Sequence, residues 1–423
     1  MTAVRPAPTG GTLRAGLLRQ PAFWVVAALL AAGMIRITAI GVHLGTEYPR
    51  AMLTATVLFA LLAVPFWWFV VELDFLEREP AALLTMAFGW GAFVATSVSL
   101  PGGAALDDLV AKLGSPTLAA DWGAALASPT VEEIAKAAGI AAIALVARGH
   151  VNSVLDGVVY GAMVGLGFQI VEDIVYALGA VALAGQGDEA QPVIATFLLR
   201  GFLAGVWSHT LFSALAGAGI GFLVVHRERR WRERIGVAAL AMLGAWGSHM
   251  LWNSPLLRDG LGNGLLALLA VLVFKGLPPL LLILYLVRRA HDREADYYVG
   301  QLSTLHDREV ITDRELAVLR SGSRRAAARW YADERAGHRA RRAVRRLQRA
   351  QAGLAVEISR SGPAERHRDE IRQQRSVLIR LGHPEAIDPP TASGTWRRRA
   401  WAVISTVVAV AVVWVALSAL GGS

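Results

Sequence analysis

Residues 129–139 read Pro129-Thr130-Val131-Glu132-Glu133-Ile134-Ala135-Lys136-Ala137-Ala138-Gly139. Two adjacent glutamates and one of the chain's three lysines thus stand at the head of an apolar run that continues to residue 147. A charged side chain at the centre of a bilayer costs about 2.5–3.5 kcal/mol even on lenient insertion scales. Three in one span need a purpose, and chemistry carried out inside the membrane is the purpose that uses all of them.

The rest of the chain supports a membrane setting. Of its 423 residues, 54% are hydrophobic, and the formal net charge is +9. Mean hydropathy is +0.44, which suits a polytopic membrane protein better than a soluble domain. The chain has no cysteine, so disulfides, a thiolate nucleophile and Cys-ligated metal are excluded. The basic charge is nearly all arginine, gathered in a few loops and one late segment, a distribution that points to anionic lipid headgroups and not to nucleic acid. Arg5, Arg14 and Arg19 precede the first apolar run, which is long and has no clear small-residue cleavage site, so it reads as an uncleaved first span.

About 20 apolar residues are needed to cross a bilayer as a helix. That ruler gives about nine spans, near 21–44, 51–71, 81–100, 130–147, 154–180, 192–225, 235–255, 261–287 and 401–420, the sixth long enough to be tilted or broken. The expected fold is all-α: a polytopic transmembrane helix bundle with a small Arg-rich helical segment. In chain order this predicts a tail over 1–20, an eight-span core over 21–288, the Arg-rich segment over 289–397, and the ninth span with the C-terminus over 398–423.

Arginine asymmetry sets the orientation. The N-terminal tail, Arg148, the group Arg227, Arg229, Arg230, Arg232 and Arg234, and the chain from Arg288 onward all fall on one side. The opposite loops carry Asp107, Asp108, Asp121, Asp188 and Glu189 with few bases. The N-terminus is therefore expected in the cytoplasm of a bacterial-type cell membrane and the C-terminus outside. In the Arg-rich segment, Thr312-x-x-Glu315 reads as a capping box and 326–352 has helical composition, which predicts a short cytoplasmic helical hairpin.

The ionisable residues inside the spans cluster by type. Glu132 and Glu133 lie one helical turn from Lys136, so the lysine can pair with one carboxylate and leave the other free. The fifth span offers Glu172 and Asp173, with Tyr176 one turn beyond Glu172; the sixth offers Arg200 and His209; the seventh offers His249, with Asn253 one turn on. Under the proposed topology these groups can gather in the outer half of the bilayer. Two imidazoles and a carboxylate can hold zinc with one position open for water, while a second glutamate acts as general base. The same residues without metal can activate water as a Glu–His pair, with Asn253 donating to an oxyanion. Both readings lead to hydrolysis of a peptide bond in or beside the membrane. There is no His-Glu-x-x-His and no Gly-x-Ser-x-Gly; Gly185-Gln186-Gly187-Asp188 imitates an aspartyl-protease motif but lies in a polar connection.

The segment 132–136, the stretch from Phe168 to Tyr176, His209, and His249-x-x-Trp252-Asn253 together resemble the PrsW family of intramembrane proteases. The linker Glu72-Leu73-Asp74-Phe75-Leu76-Glu77-Arg78-Glu79-Pro80 and the following Ala87-Phe88-Gly89-Trp90-Gly91 resemble that family's approach to the motif. The resemblance implies a polytopic membrane endopeptidase, commonly a metalloprotease, distantly related to the membrane proteases that process prenylated proteins. Its best-known member cuts a membrane-anchored anti-sigma factor. Carried onto this chain, the family's catalytic set is Glu132, Glu133, His209 and His249, with Glu172 as a further candidate; Asp173 stands where the family often has asparagine.

The expectation is therefore an intramembrane endopeptidase acting on a membrane-anchored protein substrate. Glu132, Glu133, Lys136 and Asn253 are its catalytic group, and Glu172, His209 and His249 its zinc ligands. Glu133 is expected as general base, with its role and that of Glu132 open to exchange. Two other classes use the same features: a proton or cation transporter running along the ionisable residues, and a scaffold acting through the Arg-rich segment.

Overall fold

The computed structural model describes residues 19–147, 149–204, 209–257, 270–359 and 364–389. Among them there is no strand, and they fall into two compact units: one holds 19–73 and 79–286, the other 74–78 and 287–389.

The first unit is built from α1 Pro21–Glu47, α2 Pro49–Leu73, α3 Ala81–Leu113, α4 Pro116–Val146, α5 Val154–Ala184, α6 Gln191–Thr196, α7 His209–Val225 and α8 Trp231–Asn253. Among the described residues, three π-helical stretches interrupt the α geometry: Trp90–Ala95 within α3, Phe197–Ala204 after α6, and Leu272–Gly276. α1, α2, α3, α5 and α8 are long and apolar enough to cross a membrane, and α7 is a shorter apolar helix. The nine expected spans meet the structure differently at three places. The expected fourth span is the C-terminal half of α4, where three buried charges offset the apolar residues. The sixth is broken into α6, a π-helical stretch and α7. The expected outer connection over 101–129 is mostly helix, because α3 runs on to Leu113 and α4 starts at Pro116. Proline suits a first helical position, and the Ser115 hydroxyl accepts from the Leu118 N–H at 3.0 Å. The ninth span and Arg148 lie outside the described residues, and the eighth is described from residue 270 onward.

α5 is the central rod, buried along nearly its whole length, whereas α1, α2 and α8 turn Trp24, Ile35, Leu61, Trp68 and Leu240 outward. Outward apolar faces around a buried rod are what a hydrocarbon solvent asks of a helix bundle. The centre is held by small residues. Gly157, Gly161 and Gly165 recur every fourth residue along α5 and face α7. A Cβ on Gly161 would come within 2.2 Å of the Ser213 carbonyl oxygen, and one on Gly165 within 2.2 Å of that of His209. The two backbones therefore touch, and this contact fixes where the imidazole of His209 stands. Gly161→Leu is expected to lower the stability of the detergent-solubilised chain by about 1–3 kcal/mol or more, as overpacking a tight contact does. Gly179→Ala, where an added Cβ meets nothing within 4 Å, is expected to leave the melting temperature unchanged or higher. Equal melting of the two variants would contradict the packing argument.

Asp188 in the α5–α6 connection, part of the apparent aspartyl motif, has a structural partner. Its carboxylate accepts from the backbone N–H groups of Arg50 (2.8 Å) and Ala51 (2.9 Å), satisfying orphan donors at the start of α2.

The second unit contains the residues of α9 Leu277–Ser303 from 287 on, with α10 Asp313–Leu319, α11 Gly322–Ser359 and α12 Glu365–Arg380. Thr312 and Glu315 form the capping box at the start of α10. α11 is bent at Gly337, whose φ of 76° lies in the left-handed region open to glycine. Tyr298, Leu302, Val344, Leu354 and Leu378 fill the core. Glu315 is buried and bonded to Arg375 at 2.7 Å, to the Ala386 N–H at 3.0 Å and to Gln351 at 3.1 Å.

His291 belongs to this unit and receives a hydrogen bond from Arg325 at 3.1 Å. Burial, and then the Arg325 guanidinium, push the imidazole from its usual 6.5 down to about 4. The folded unit therefore resists the proton that the unfolded chain takes up below pH 6.5, so its stability falls as pH drops from about 6.5 toward 4. Protection factors of the α11 amides in the intact protein, each taken against the intrinsic exchange rate at the same pH, are expected to fall between pH 7 and pH 5, and His291→Gln to blunt that change.

Candidate active site

One turn of α4 carries Glu132, Glu133 and Lys136, all buried. α5 presents Glu172 and Asp173, α7 begins with His209, and α8 ends with His249 and Asn253. The glycine contact of α5 with α7 brings His209 to α5, and the Trp246 indole N–H, donating to the Thr130 hydroxyl at 3.0 Å, ties α8 to α4. All seven residues expected from the sequence meet in one place.

Within the cluster the two glutamates of α4 differ in kind. Glu133 Oε1 accepts from Lys136 Nζ at 2.5 Å and lies 2.9 Å from His249 Nδ1. It is fully enclosed and lines neither of the cavities described below. Glu132 Oε2 is buried and has no hydrogen-bond partner; its neighbours are Lys136 Nζ at 3.6 Å, His209 Nδ1 at 3.6 Å and His249 Nε2 at 3.9 Å. Both histidines thus turn one nitrogen toward Glu132 and the other toward a second carboxylate. For His249 that carboxylate is Glu133; for His209 it is Glu172, whose Oε2 lies 2.8 Å from His209 Nε2. The network assigns the ring proton to the outward nitrogen in each case and leaves the inward nitrogen as an acceptor.

The rings are held from the side. Phe212 stacks on His249 with centroids 5.1 Å apart at 20°, and Phe168 packs on His209 at 4.9 Å while lying 4.5 Å from Lys136 Nζ. Asn253 Nδ2 is 3.3 Å from His249 Nε2 and donates to the Ala124 carbonyl at 3.2 Å. Arg200, on the π-helical stretch, donates to Glu172 Oε2 and Asp173 Oδ1, each at 2.7 Å, and stacks 3.9 Å over the Tyr176 ring. The pairing of Arg200 with both acids, and not with one, is a feature that residue spacing alone did not indicate.

A metal ion can be weighed against this donor set. Donors on a tetrahedral zinc lie roughly 3.3–3.5 Å apart, given zinc–ligand lengths near 2.0–2.1 Å. Glu132 Oε2, His209 Nδ1 and His249 Nε2 all fall within 4.8 Å of one another, with two of the separations at 3.6 and 3.9 Å. The orphaned oxygen of Glu132 lacks the partner that a cation would be. Ionised, the four carboxylates of the cluster against Lys136 and Arg200 leave a formal charge of −2, which a divalent ion would neutralise. The residues fit a metal. Lys136 is the competing cation, 3.1 Å from His209 Nδ1. Glu172, the carboxylate expected as a ligand, stands outside this trio, behind His209 and engaged by Arg200.

Two cavities meet at Glu132. A polar chamber of about 40 Å³ is lined by Glu132, Glu172, His209, His249, Trp252 and Asn253 among others, room for a few water molecules. A larger, mainly apolar groove of about 550 Å³ reaches Glu132 from the other side, between α3 and α4 on one wall and α5 with the Arg200 stretch on the other. Glu132, Glu172, Tyr176 and Arg200 border both.

Residues 79–278 match the family model described as PrsW family intramembrane metalloprotease, the family that the motifs resemble. That span takes in α3 to α8 and every residue of the cluster. The apolar helices and the family match support an integral membrane protein in which residues 79–278 are similar to an intramembrane protease domain, and the match does not favour the transport reading. No curated protein and no solved structure matches the chain.

Proposed function

We propose that this PrsW-family domain hydrolyses a peptide bond of a membrane-anchored protein at Glu132, and that a zinc ion is its cofactor. The observation that carries the proposal is the Glu132 carboxylate: buried, without a hydrogen-bond partner, flanked by an acceptor nitrogen from each of two histidines, and open to a water-sized chamber. Glu132, His209 and His249 would hold the zinc, whose charge would polarise the scissile carbonyl and acidify bound water. Glu132 Oε2 is the oxygen that faces the two histidines, so the other oxygen of the same carboxylate would take the proton of the attacking water and pass it to the leaving amine, the base assignment thus passing from Glu133 to its neighbour. Glu133 and Glu172 hold the rings of His249 and His209 from behind, as carboxylates commonly do for metal-binding imidazoles. Lys136 pairs with Glu133, and Asn253, with its amide beside His249 Nε2, donates to the developing oxyanion.

The substrate class is a single-span protein with a cut near the outer face, anti-sigma-factor-like in topology. The N-terminus lies in the cytoplasm and the C-terminus outside. The exposed arginines 227, 229 and 230, between α7 and α8, and Arg232 in the first turn of α8 hold anionic lipid headgroups. We retain the boundaries 1–20, 21–288, 289–397 and 398–423 as the working division of the chain.

The test is a reconstituted system of purified chain and a fluorescent single-span reporter in liposomes. The reporter should yield two fragments whose masses define one hydrolysed peptide bond, and a chelator should stop the reaction. Proton flux dependent on Glu172, with no fragment formed, would overturn the proposal.

A further inference from the structure

We propose that the apolar groove beside Glu132 takes an extended, unwound apolar segment of the substrate, and that Ser99 hydrogen-bonds its backbone. This rests on the hydrolytic reading above and says how the scissile bond is presented. The groove holds about 550 Å³, within the size range of ligand pockets, and Glu132, which carries the unpartnered oxygen, is one of its lining residues. Gly103, Val175, Gly179 and Leu199 line it without polar atoms in their side chains. Ser99 lines it as well; the residue is only 7% exposed, yet its hydroxyl has no hydrogen-bond partner. The Ser128 hydroxyl lies along the same wall.

These features separate two kinds of occupant. A lipid tail is uniformly apolar and gives a buried hydroxyl nothing to bond. An unwound peptide in hydrocarbon has the opposite need, because each free backbone N–H and C=O must find a partner. An unsatisfied serine hydroxyl in an apolar wall, on the path to an unsatisfied carboxylate, matches the peptide. A helix about 10–12 Å across keeps its carbonyls bonded to itself, and so would leave both groups unused.

The chain's lack of cysteine makes the test clean, since Gly179→Cys introduces the sole thiol. An added Cβ there meets nothing within 4 Å, so the variant keeps its packing. Full-length protein in detergent is labelled with pyrene-maleimide, with and without a synthetic leucine–valine–alanine–glycine peptide flanked by lysines. At about ten times its dissociation constant the peptide should slow labelling roughly tenfold. Labelling of Gly236→Cys, outside the groove and equally open, should not change. Adding Gly103→Leu to Gly179→Cys fills the groove and should remove the protection; Ser99→Ala should raise the peptide concentration needed for it. The proposal is overturned if the peptide leaves the rate unchanged, or if a two-chain phospholipid slows labelling as much as the peptide does. Hydrolysis of the peptide is followed in parallel with the unsubstituted chain. Hydrolysis without protection sinks the groove and leaves the protease reading standing. Protection without hydrolysis supports the groove and sinks the protease reading.

Discussion

Glu132→Ala should abolish hydrolysis and leave the metal-free protein as stable as before, while Glu133→Ala should lose activity and stability together. The two residues are neighbours in sequence and chemically identical, so the difference tests the geometry alone. Glu132 Oε2 makes no hydrogen bond, and Lys136 keeps its 2.5 Å contact with Glu133 when Glu132 is gone. In metal-free protein, removing Glu132 therefore deletes a buried charge that has little compensation, and the melting temperature measured in chelator should hold or rise. Positioned proton transfer contributes about 10²–10⁴-fold to a rate, so cleavage should fall by at least about a hundredfold. Glu133 is the shared acceptor of Lys136 and His249. Its loss leaves the lysine without its closest counter-charge in a dry interior, a change that typically costs about 3–5 kcal/mol. Equal destabilisation by the two substitutions, or full cleavage by Glu132→Ala, would remove the basis for assigning the reactive carboxylate.

One zinc per chain is the second expected result, with both histidines required and Glu172 dispensable for binding as such. His209→Ala and His249→Ala each remove a nitrogen that faces Glu132, and elemental analysis of the purified variants should find them empty. Glu172→Gln removes only the carboxylate behind His209, where a substitution typically weakens metal affinity about 10–100-fold. That variant should bind zinc when supplied with it, at higher concentration. Zinc retained by both histidine variants would refute the trio. Zinc lost from Glu172→Gln as completely as from the histidine variants would restore Glu172 as a ligand.

The sequence carried much of this site in readable form. Glu132, Glu133 and Lys136 are legible because charge is rare in an apolar span, and the i,i+3 and i,i+4 steps are a property of any helix. His209, His249 and Asn253 stand out for the same reason. What spacing could not distinguish was direction. On a helix, residues 132 and 133 point about 100° apart, and only the positions of α7 and α8 decide which one meets the imidazoles. The groove was illegible for a related reason: Ser99, Gly103 and Gly179 are ordinary residues of membrane helices, and they become a wall only when α3 and α5 face one another. The length of the sixth span marked it as tilted or broken, but not where it breaks, because a π-helical stretch keeps the apolar composition while changing the hydrogen-bond register.

The amino-acid order by itself determined that this chain is a helical membrane protein with acids, imidazoles and a lysine inside the apolar phase. Composition and periodicity are local quantities, and the expense of buried charge is paid wherever the helix lands. The fold decided which carboxylate is free, which stands behind a histidine, and where a peptide can reach them. Those outcomes depend on the glycine contact of α5 with α7 and on the tie between Thr130 and Trp246, interactions between residues up to 116 positions apart.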